Sequence, residues 1–190
     1  MVKSIMIVGV GGQGTLLASR IIGNVAIASG FDVKVSEVHG MSQRGGSVVT
    51  YVRYGEGVAS PIIGIGGADT ILAFEELEAL RYASHLKEGG RLIVNTQNIA
   101  PMPVITGQAK YPAGILEKLS AMPLSVTSVD ALSLAAKAGS TKAVNVVLIG
   151  VLAKSSEIPK ETWIKAIEDT VPEKFLELNK NAFEEGYNLG

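Results

Sequence analysis

The sequence predicts an α/β fold: one domain over residues 1–190, with a mostly parallel sheet, an inserted β-hairpin and a helical C-terminal tail. Three observations favour it. An apolar run at residues 5–8 passes through glycines into an amphipathic, helix-spaced run. Further short apolar segments alternate with helical ones along the chain. The 190 residues, 47% of them hydrophobic, are enough to bury the core of one domain.

The first glycine stretch carries the strongest local signal. Gly9, Gly11 and Gly14 fit the pattern G-x-G-x-x-G, and Gly12 adds a fourth glycine. In the order strand, tight turn, helix, such glycines permit the turn, let a ligand approach bare backbone and let the helix pack closely on the strand. The helix N-terminus that follows favours a phosphate or a carboxylate. We therefore predict a ligand or partner site here, against the alternative of a purely structural turn.

Gln13 and Thr15 complete this stretch as candidate contacts. The Gln13 amide can both donate and accept hydrogen bonds, so it could reach a ligand or a partner chain, or it could only cap the helix. A polar residue further on, Asn145, interrupts an apolar run between residues 142 and 154. If buried, it needs a hydrogen-bond partner, in the core or in the glycine loop.

A second polar, glycine-rich stretch follows the predicted second strand, residues 31–38. Glu37 lies where a dinucleotide fold places the acid that binds ribose. The stretch has almost no side chain that could fill a core, which favours a binding loop. Arg44 is its one cation, and its planar fork suits a carboxylate or phosphate. The remaining candidates are His39, Gly40, Met41, Ser42, Gln43, Gly45 and Gly46.

The rest of the chain alternates between short strands and helices. Residues 47–54 predict a strand that returns as a hairpin over residues 58–65, an insertion that disfavours an ordinary NAD domain. The other predicted strands are 69–74, 91–95 and 124–129. The predicted helices are 75–86, 111–122, 130–138, 142–154 and two in the tail from residue 156, with an irregular excursion at 96–112 that includes an extended piece at 104–106.

Composition excludes several kinds of function. The net charge of −1 disfavours nucleic acid and membrane surfaces. Without cysteine, the chain has no disulfide, no thiolate nucleophile and no cysteine-ligated iron–sulfur cluster, which fits a cytoplasmic protein. No metal-ligand spacing, nucleophile elbow, P-loop, signal peptide or membrane span is recognisable. We expect a binding subunit that completes another chain's active site, with no catalytic residue and no metal of its own.

The two glycine stretches together resemble a known family. GVGGQGT at residues 9–15, followed by EVHGMSQRGGSV at residues 37–48, is similar to the gamma-type subunit of 2-oxoacid:ferredoxin oxidoreductases. The second stretch looks closest to the beta subunit of indolepyruvate ferredoxin oxidoreductase. Pyruvate and 2-oxoglutarate members usually carry a proline-glutamate pair before the arginine-glycine step, where this chain has Met41, Ser42 and Gln43. The resemblance extends from residue 5 to about residue 153.

This resemblance implies a function. The family's enzymes oxidatively decarboxylate a 2-oxoacid to an acyl-CoA and pass two electrons to ferredoxin, with thiamine diphosphate and iron–sulfur clusters on a large partner subunit. The small subunit is a Rossmann-like domain that docks on that partner and helps either to hold coenzyme A or to close the substrate pocket. The alternatives are a gamma subunit for pyruvate or another 2-oxoacid, an NAD- or flavin-binding protein with Glu37 on the ribose, and a non-catalytic binding or regulatory protein.

Overall fold

The computed structural model describes residues 1–39 and 45–189, and within them the chain forms one twisted sheet with helices on both faces. The strand order is β2-β3-β1-β4-β5-β6. Strands β1, β4, β5 and β6 are parallel to their neighbours in that series, whereas β3 is antiparallel to both β1 and β2. The predicted mostly parallel α/β fold is therefore confirmed. The strands are β1 (Lys3–Val10), β2 (Asp32–His39), β3 (Ser47–Gly55), β4 (Ala68–Ala73), β5 (Leu86–Asn95) and β6 (Ser125–Val129).

Two hydrophobic clusters, one on each face of the sheet, explain the apolar run at the start of the chain. Ile5 and Ile7 pack with the helices of one face, whereas Met6 and Val8 pack with those of the other. A strand covered on both faces is apolar at every position, without the alternation of a half-exposed strand. The helices are α1 (Thr15–Ala28), α2 (Glu76–Tyr82), α3 (Met102–Ile105), α4 (Ile115–Ser120), α5 (Ala131–Lys137), α6 (Val144–Lys154), α7 (Lys160–Thr170) and α8 (Leu176–Tyr187).

The predicted return strand at residues 58–65 is wrong. The hairpin is formed by β2 and β3, and β3 also pairs with β1 along its whole length, so neither edge of β3 is left for another strand. Residues 58–65 run as irregular chain. The Arg53 guanidinium, which donates to Ser60 O at 2.8 Å, ties them to β3.

Two further expectations are corrected by local geometry. The piece at 104–106, expected to be extended, lies in a one-turn helix, α3, which has proline in its first turn, a position where the missing N–H costs nothing. The helix expected over 75–86 ends at Tyr82, and a 3₁₀ turn leads directly into β5. Gly89 and Gly90 lie in an irregularity of β5, where Gly89 has a φ of +70°.

The C-terminal tail belongs to the core. Helix α6 is buried along all but its last residue, so the apolar run at 142–154 is a helix, as predicted. Trp163 of α7 and Phe183 of α8 are fully buried. Among the described residues, no helix combines the length and apolar character that a membrane crossing requires.

Candidate functional site

The two glycine stretches meet at the carboxyl edge of the parallel strands. The Gly11 N–H donates to Gly46 O at 2.8 Å, and the Gly45 N–H donates to Gly11 O at 3.3 Å. We call this pair of hydrogen bonds the glycine bridge. It forms because β3 begins beside the end of β1, with Val10 opposite Ser47. The carboxyl edge is where open α/β sheets bind ligands, so the fold brings the two candidate stretches to the expected place.

The centre of the second stretch, Gly40, Met41, Ser42, Gln43 and Arg44, lies outside the described residues. Its flanks are described. His39 is the last residue of β2 and pairs with Val48, and the exposed Glu37 pairs with Thr50. Both belong to the edge strand of the sheet.

The Gln13 side chain forms hydrogen bonds to two backbone groups of this chain. Its Oε1 accepts from the Val10 N–H at 2.7 Å, and its Nε2 donates to Phe74 O at 2.9 Å. A Cβ on Gly9 would lie 2.9 Å from Gln13 Oε1 and 3.0 Å from Phe74 Cβ, so glycine is required there for close approach. Gln13 thus ties the first stretch to the end of β4, and its amide is used in shaping the loop.

The other two glycines of the loop adopt left-handed backbone. Gly12 has a φ of +102° and is exposed, and Gly14 has a φ of +85° and forms the N-cap of α1. The buried Asn145 finds a hydrogen-bond partner in the glycine loop. Its Nδ2 donates to Gly14 O at 3.3 Å, and its Oδ1 accepts from the Val146 N–H at 3.0 Å. The buried amide therefore supports the glycine loop from below.

Helix α1 begins at the buried Thr15 directly behind this loop. Among the described residues, no side chain caps its N-terminus, and no acidic residue lies in its first turn. No carboxylate of the described first turn therefore compensates the partial positive charge of the helix end, and this arrangement favours an anion.

Glu75 is a buried carboxylate near the candidate site that the sequence analysis did not single out. It lies 1% exposed at the end of β4 and caps α2, with its Oε2 accepting from the Glu78 N–H at 2.9 Å. Its Oε1 accepts from the Ile99 N–H at 3.0 Å and from the Tyr111 hydroxyl. The available signal was an acid directly after the predicted strand at 69–74, at the start of the predicted helix over 75–86.

Glu78 and Ser47 form a second missed group. Ser47 Oγ donates to Glu78 Oε2 at 2.5 Å, and Arg81 lies 2.6 Å from Glu78 Oε1. Glu78 is only 2% exposed, so Arg81 supplies the countercharge that a buried carboxylate needs. Beside them is a cavity of about 230 Å³ whose lining includes Gly45, Gly46, Ser47, Ile99, Pro101 and Met102.

A larger cleft, of about 870 Å³, lies at the opposite edge of the sheet. Its lining includes Lys3, Tyr54 and Arg91, and none of the glycine-stretch residues. Parallel sheets bind ligands at the carboxyl ends of their strands, so the smaller cavity is the candidate site despite the difference in volume.

Two pKa values near the site are raised. Burial raises the pKa of Tyr111, and the hydrogen bond to the Glu75 carboxylate raises it further. Burial also raises the pKa of Glu76 above its ordinary value of 4.5, with the negative charges of Glu75 and Glu117 adding to the effect. The folded protein therefore favours the protonated form of Glu76, and this contribution to stability is present below the unfolded-state pKa and lost as the pH rises through the folded-state pKa.

Glu76→Gln is expected to raise the melting temperature at pH 7.5 and to leave it unchanged at pH 4, because the amide removes the charge that burial and its acidic neighbours oppose. Thermal scans at both pH values measure this difference. The matched control is Glu161→Gln, which changes an exposed glutamate in the first turn of α7 and should shift stability by less than about 0.5 kcal/mol at either pH. A lower melting temperature for Glu76→Gln at pH 7.5 would contradict the assignment.

The sheet order weakens the dinucleotide-binding alternative. In an ordinary Rossmann sheet, β2 lies directly beside β1, so that the acid at the end of β2 reaches the ribose. Here β3 lies between them. Glu37 is therefore two strand spacings from β1, about 10 Å, instead of one.

A metal centre receives no support from the described residues, among which no group of three or more histidine, aspartate or glutamate side chains could hold an ion. With no cysteine in the sequence, this chain's residues also do not fit an iron–sulfur cluster.

Comparison with known proteins agrees with the resemblance seen in the glycine stretches. The family model described as pyruvate ferredoxin/flavodoxin oxidoreductase matches residues 4–189. The chain is 44% identical over 188 residues to the indolepyruvate oxidoreductase subunit IorB of Thermococcus kodakarensis, covering 96% of this chain and 93% of that one. It is 28% identical over 183 residues to the pyruvate/ketoisovalerate oxidoreductases common subunit gamma of the same organism, covering 95% of this chain and 92% of that one.

Solved structures lead to the same family. The crystal structure of a keto/oxoacid ferredoxin oxidoreductase gamma subunit from Geobacter sulfurreducens is 27% identical, with a TM-score of 0.74 over 98% of this chain and 96% of that one. The match extends over nearly the whole chain in sequence and in structure alike. This chain belongs to the pyruvate ferredoxin/flavodoxin oxidoreductase family.

Proposed function

We propose that this chain is the small subunit of a CoA-dependent 2-oxoacid:ferredoxin oxidoreductase that acts on indolepyruvate or a related aryl 2-oxoacid. The observation that carries the proposal is the glycine bridge, which joins the two family-typical stretches into one site at the carboxyl edge. The site has backbone donors and a helix N-terminus, and no nucleophile or metal set among its described residues. Such an edge binds a ligand or partner and leaves bond-making to another chain.

The aryl substrate is favoured over pyruvate by two observations. The identity to the IorB subunit is 44%, against 28% to the pyruvate/ketoisovalerate gamma subunit of the same organism. The second stretch also carries Met41, Ser42 and Gln43 where pyruvate enzymes usually carry a proline-glutamate pair.

The division of labour is the one that the family resemblance implies, and the composition agrees with it. Iron–sulfur clusters would reside on a large partner subunit, because this chain has no cysteine. Thiamine diphosphate on the same partner would supply the decarboxylation chemistry. This chain would contribute the loop around Gly11 and the N-terminus of α1, where a phosphate of coenzyme A or the carboxylate of the 2-oxoacid meets backbone N–H groups.

Co-expression with the large subunit tests the proposal. We expect the purified complex to reduce ferredoxin or a viologen with indolepyruvate, thiamine diphosphate and CoA, and to turn over pyruvate and 2-oxoglutarate much more slowly. The isolated chain should have no such activity. Activity of this chain alone would refute the subunit assignment, and a preference for pyruvate would refute the aryl substrate.

Arg44 provides a sharper test of the binding role. We expect Arg44→Lys in the complex to lose activity nearly as severely as Arg44→Ala, because lysine keeps the charge but not the planar fork that binds an anion through paired hydrogen bonds. Steady-state kinetics would identify the anion. A raised KM for CoA alone indicates a phosphate, a raised KM for the 2-oxoacid alone indicates its carboxylate, and loss of co-purification indicates an acidic residue of the partner.

The isolated Arg44 variants should melt within a few degrees of the parent, so that lost activity is not lost folding. Kinetics and assembly like those of the parent in Arg44→Ala would remove this residue from the site.

A further inference from the structure

We propose that Glu78 is a positioning residue of this site, which holds the second glycine stretch against the first through Ser47. The inference rests on the proposed function, since the stretch it positions is the one assigned to ligand or partner binding. The sequence analysis did not single out Glu78, which lies within the predicted helix over residues 75–86.

The first step of the argument is the chain of contacts at the glycine bridge. Ser47 directly follows Gly46, the residue whose carbonyl accepts from the Gly11 N–H at 2.8 Å. Ser47 Oγ donates to Glu78 Oε2 at 2.5 Å, and the Tyr82 hydroxyl lies 3.5 Å from the same Oγ. Residues 78 and 82 are one turn apart on α2, so a single helix face holds Ser47 from two sides.

The second step is the state of the Glu78 carboxylate. It is buried, and both of its oxygens are engaged, one by Ser47 and one by Arg81 at 2.6 Å. A buried charge with a fully engaged carboxylate contributes little to net stability and is best explained by the geometry it enforces. Here it enforces the position of β3's first residue.

The third step concerns the side of the cavity formed by Ile99, Pro101 and Met102, which helix α2 also contacts. Glu75, the N-cap of α2, accepts from the Ile99 N–H at 3.0 Å and from the Tyr111 hydroxyl. Helix α2 therefore contacts the start of β3 through Glu78 and the segment at Ile99 through Glu75. The 230 Å³ cavity is lined by residues of both segments, among them Gly46 and Ser47 on one side and Ile99 on the other.

Hydrogen exchange of the full-length chain tests the anchoring directly. In Ser47→Ala and in Glu78→Gln, we expect the Gly11 and Gly45 amides to exchange at least about tenfold faster, because the glycine bridge opens more often. The Ile71 amide in the centre of the sheet should be unaffected. The matched control is Ser4→Ala, a second strand serine that also bonds a charged side chain: its Oγ accepts from Arg53 Nε at 3.2 Å at the opposite edge.

Kinetics of the assembled complex test the consequence. We expect each site variant to raise KM for CoA or for the aryl 2-oxoacid by about tenfold while kcat stays within about twofold, because the loop is displaced without loss of a reacting group. Since the two residues act through one contact, Ser47→Ala/Glu78→Gln should be no worse than the more damaging single variant. Glu78→Asp keeps the charge but shortens the side chain, and it should behave like Glu78→Gln.

The outcomes separate the two proposals. Unchanged exchange at Gly11 and Gly45, or faster exchange with parental KM values, would overturn the positioning role and leave Glu78 as a structural residue. A parent complex without 2-oxoacid activity would instead refute the proposed function, and the exchange measurements would still decide whether Glu78 anchors the glycine bridge.

Discussion

Gly186→Ala is expected to lower the free energy of unfolding by about 3 kcal/mol, among the largest effects of a single added methyl group. Helices α6 and α8 cross at two glycines. A Cβ on Gly186 would lie 1.9 Å from Val147 O, and one on Gly150 would lie 2.2 Å from Phe183 O. Both obstacles are helix backbone, so the methyl group can be accommodated only if the helices separate, which disturbs the core around Phe183.

Urea denaturation measures this loss, and a thermal scan should show a melting temperature lower by about 6 to 12 °C for a chain of this size. Gly23→Ala in α1 is the matched control, because a Cβ there would find its nearest neighbour at 3.9 Å, in ordinary contact. Since alanine is the better helix former, Gly23→Ala should stabilise the protein by up to about 1 kcal/mol. Equal effects of the two substitutions would contradict the crossing geometry.

Gly14→Ala is expected to cost about 3 kcal/mol, from two separable causes. The φ of +85° disfavours any residue with a Cβ, and that Cβ would lie 2.6 Å from Asn145 Nδ2. Gly12→Ala isolates the first cause. Gly12 has a φ of +102° but nothing within 4 Å of its Cβ position, so its substitution should cost only about 1 kcal/mol.

Asn145→Ala isolates the second cause. The double variant Gly14→Ala/Asn145→Ala should be more stable than the sum of the two single effects predicts, with a coupling of about 1 kcal/mol, because the alanine at 145 removes the clash. Additive effects in denaturant titrations would mean that the contact between the glycine loop and α6 carries no energy. Activity of Gly14→Ala in the complex should fall further than that of Gly12→Ala, because only Gly14 lies at the junction of loop and helix.

Local features of this protein were determined by the sequence itself. The change from the apolar run at residues 5–8 to helical spacing after Thr15 predicts strand, turn and helix, because the residues that decide it are neighbours in the chain. The same holds for the helices predicted over residues 130–138 and over the apolar run at 142–154, which are α5 and α6. The glycine patterns also carried the family resemblance, because they depend on residue type and spacing alone.

Pairing between distant segments was decided only by the tertiary structure. The sequence indicated a strand at 47–54 but paired it with residues 58–65, whereas β3 lies between β1 and β2. Strand pairing is nonlocal. The alternation of residues within a strand indicates which face is buried, but it does not determine which strand lies beside it in the sheet. The interposed β3 then moves Glu37 away from β1 and weakens the dinucleotide alternative.

The same reason explains which site residues were missed. The glycines of both stretches can be recognised from residue type and spacing, but Glu75 and Glu78 look like the ordinary acidic start of a helix. Their roles arise from partners that the fold brings to them: Ser47 from the start of β3, and Ile99 and Tyr111 from the segment after β5. A carboxylate's burial and hydrogen-bond partners depend on the packing of segments far apart in the chain, so only the folded chain decides whether such an acid is solvated or holds a site together.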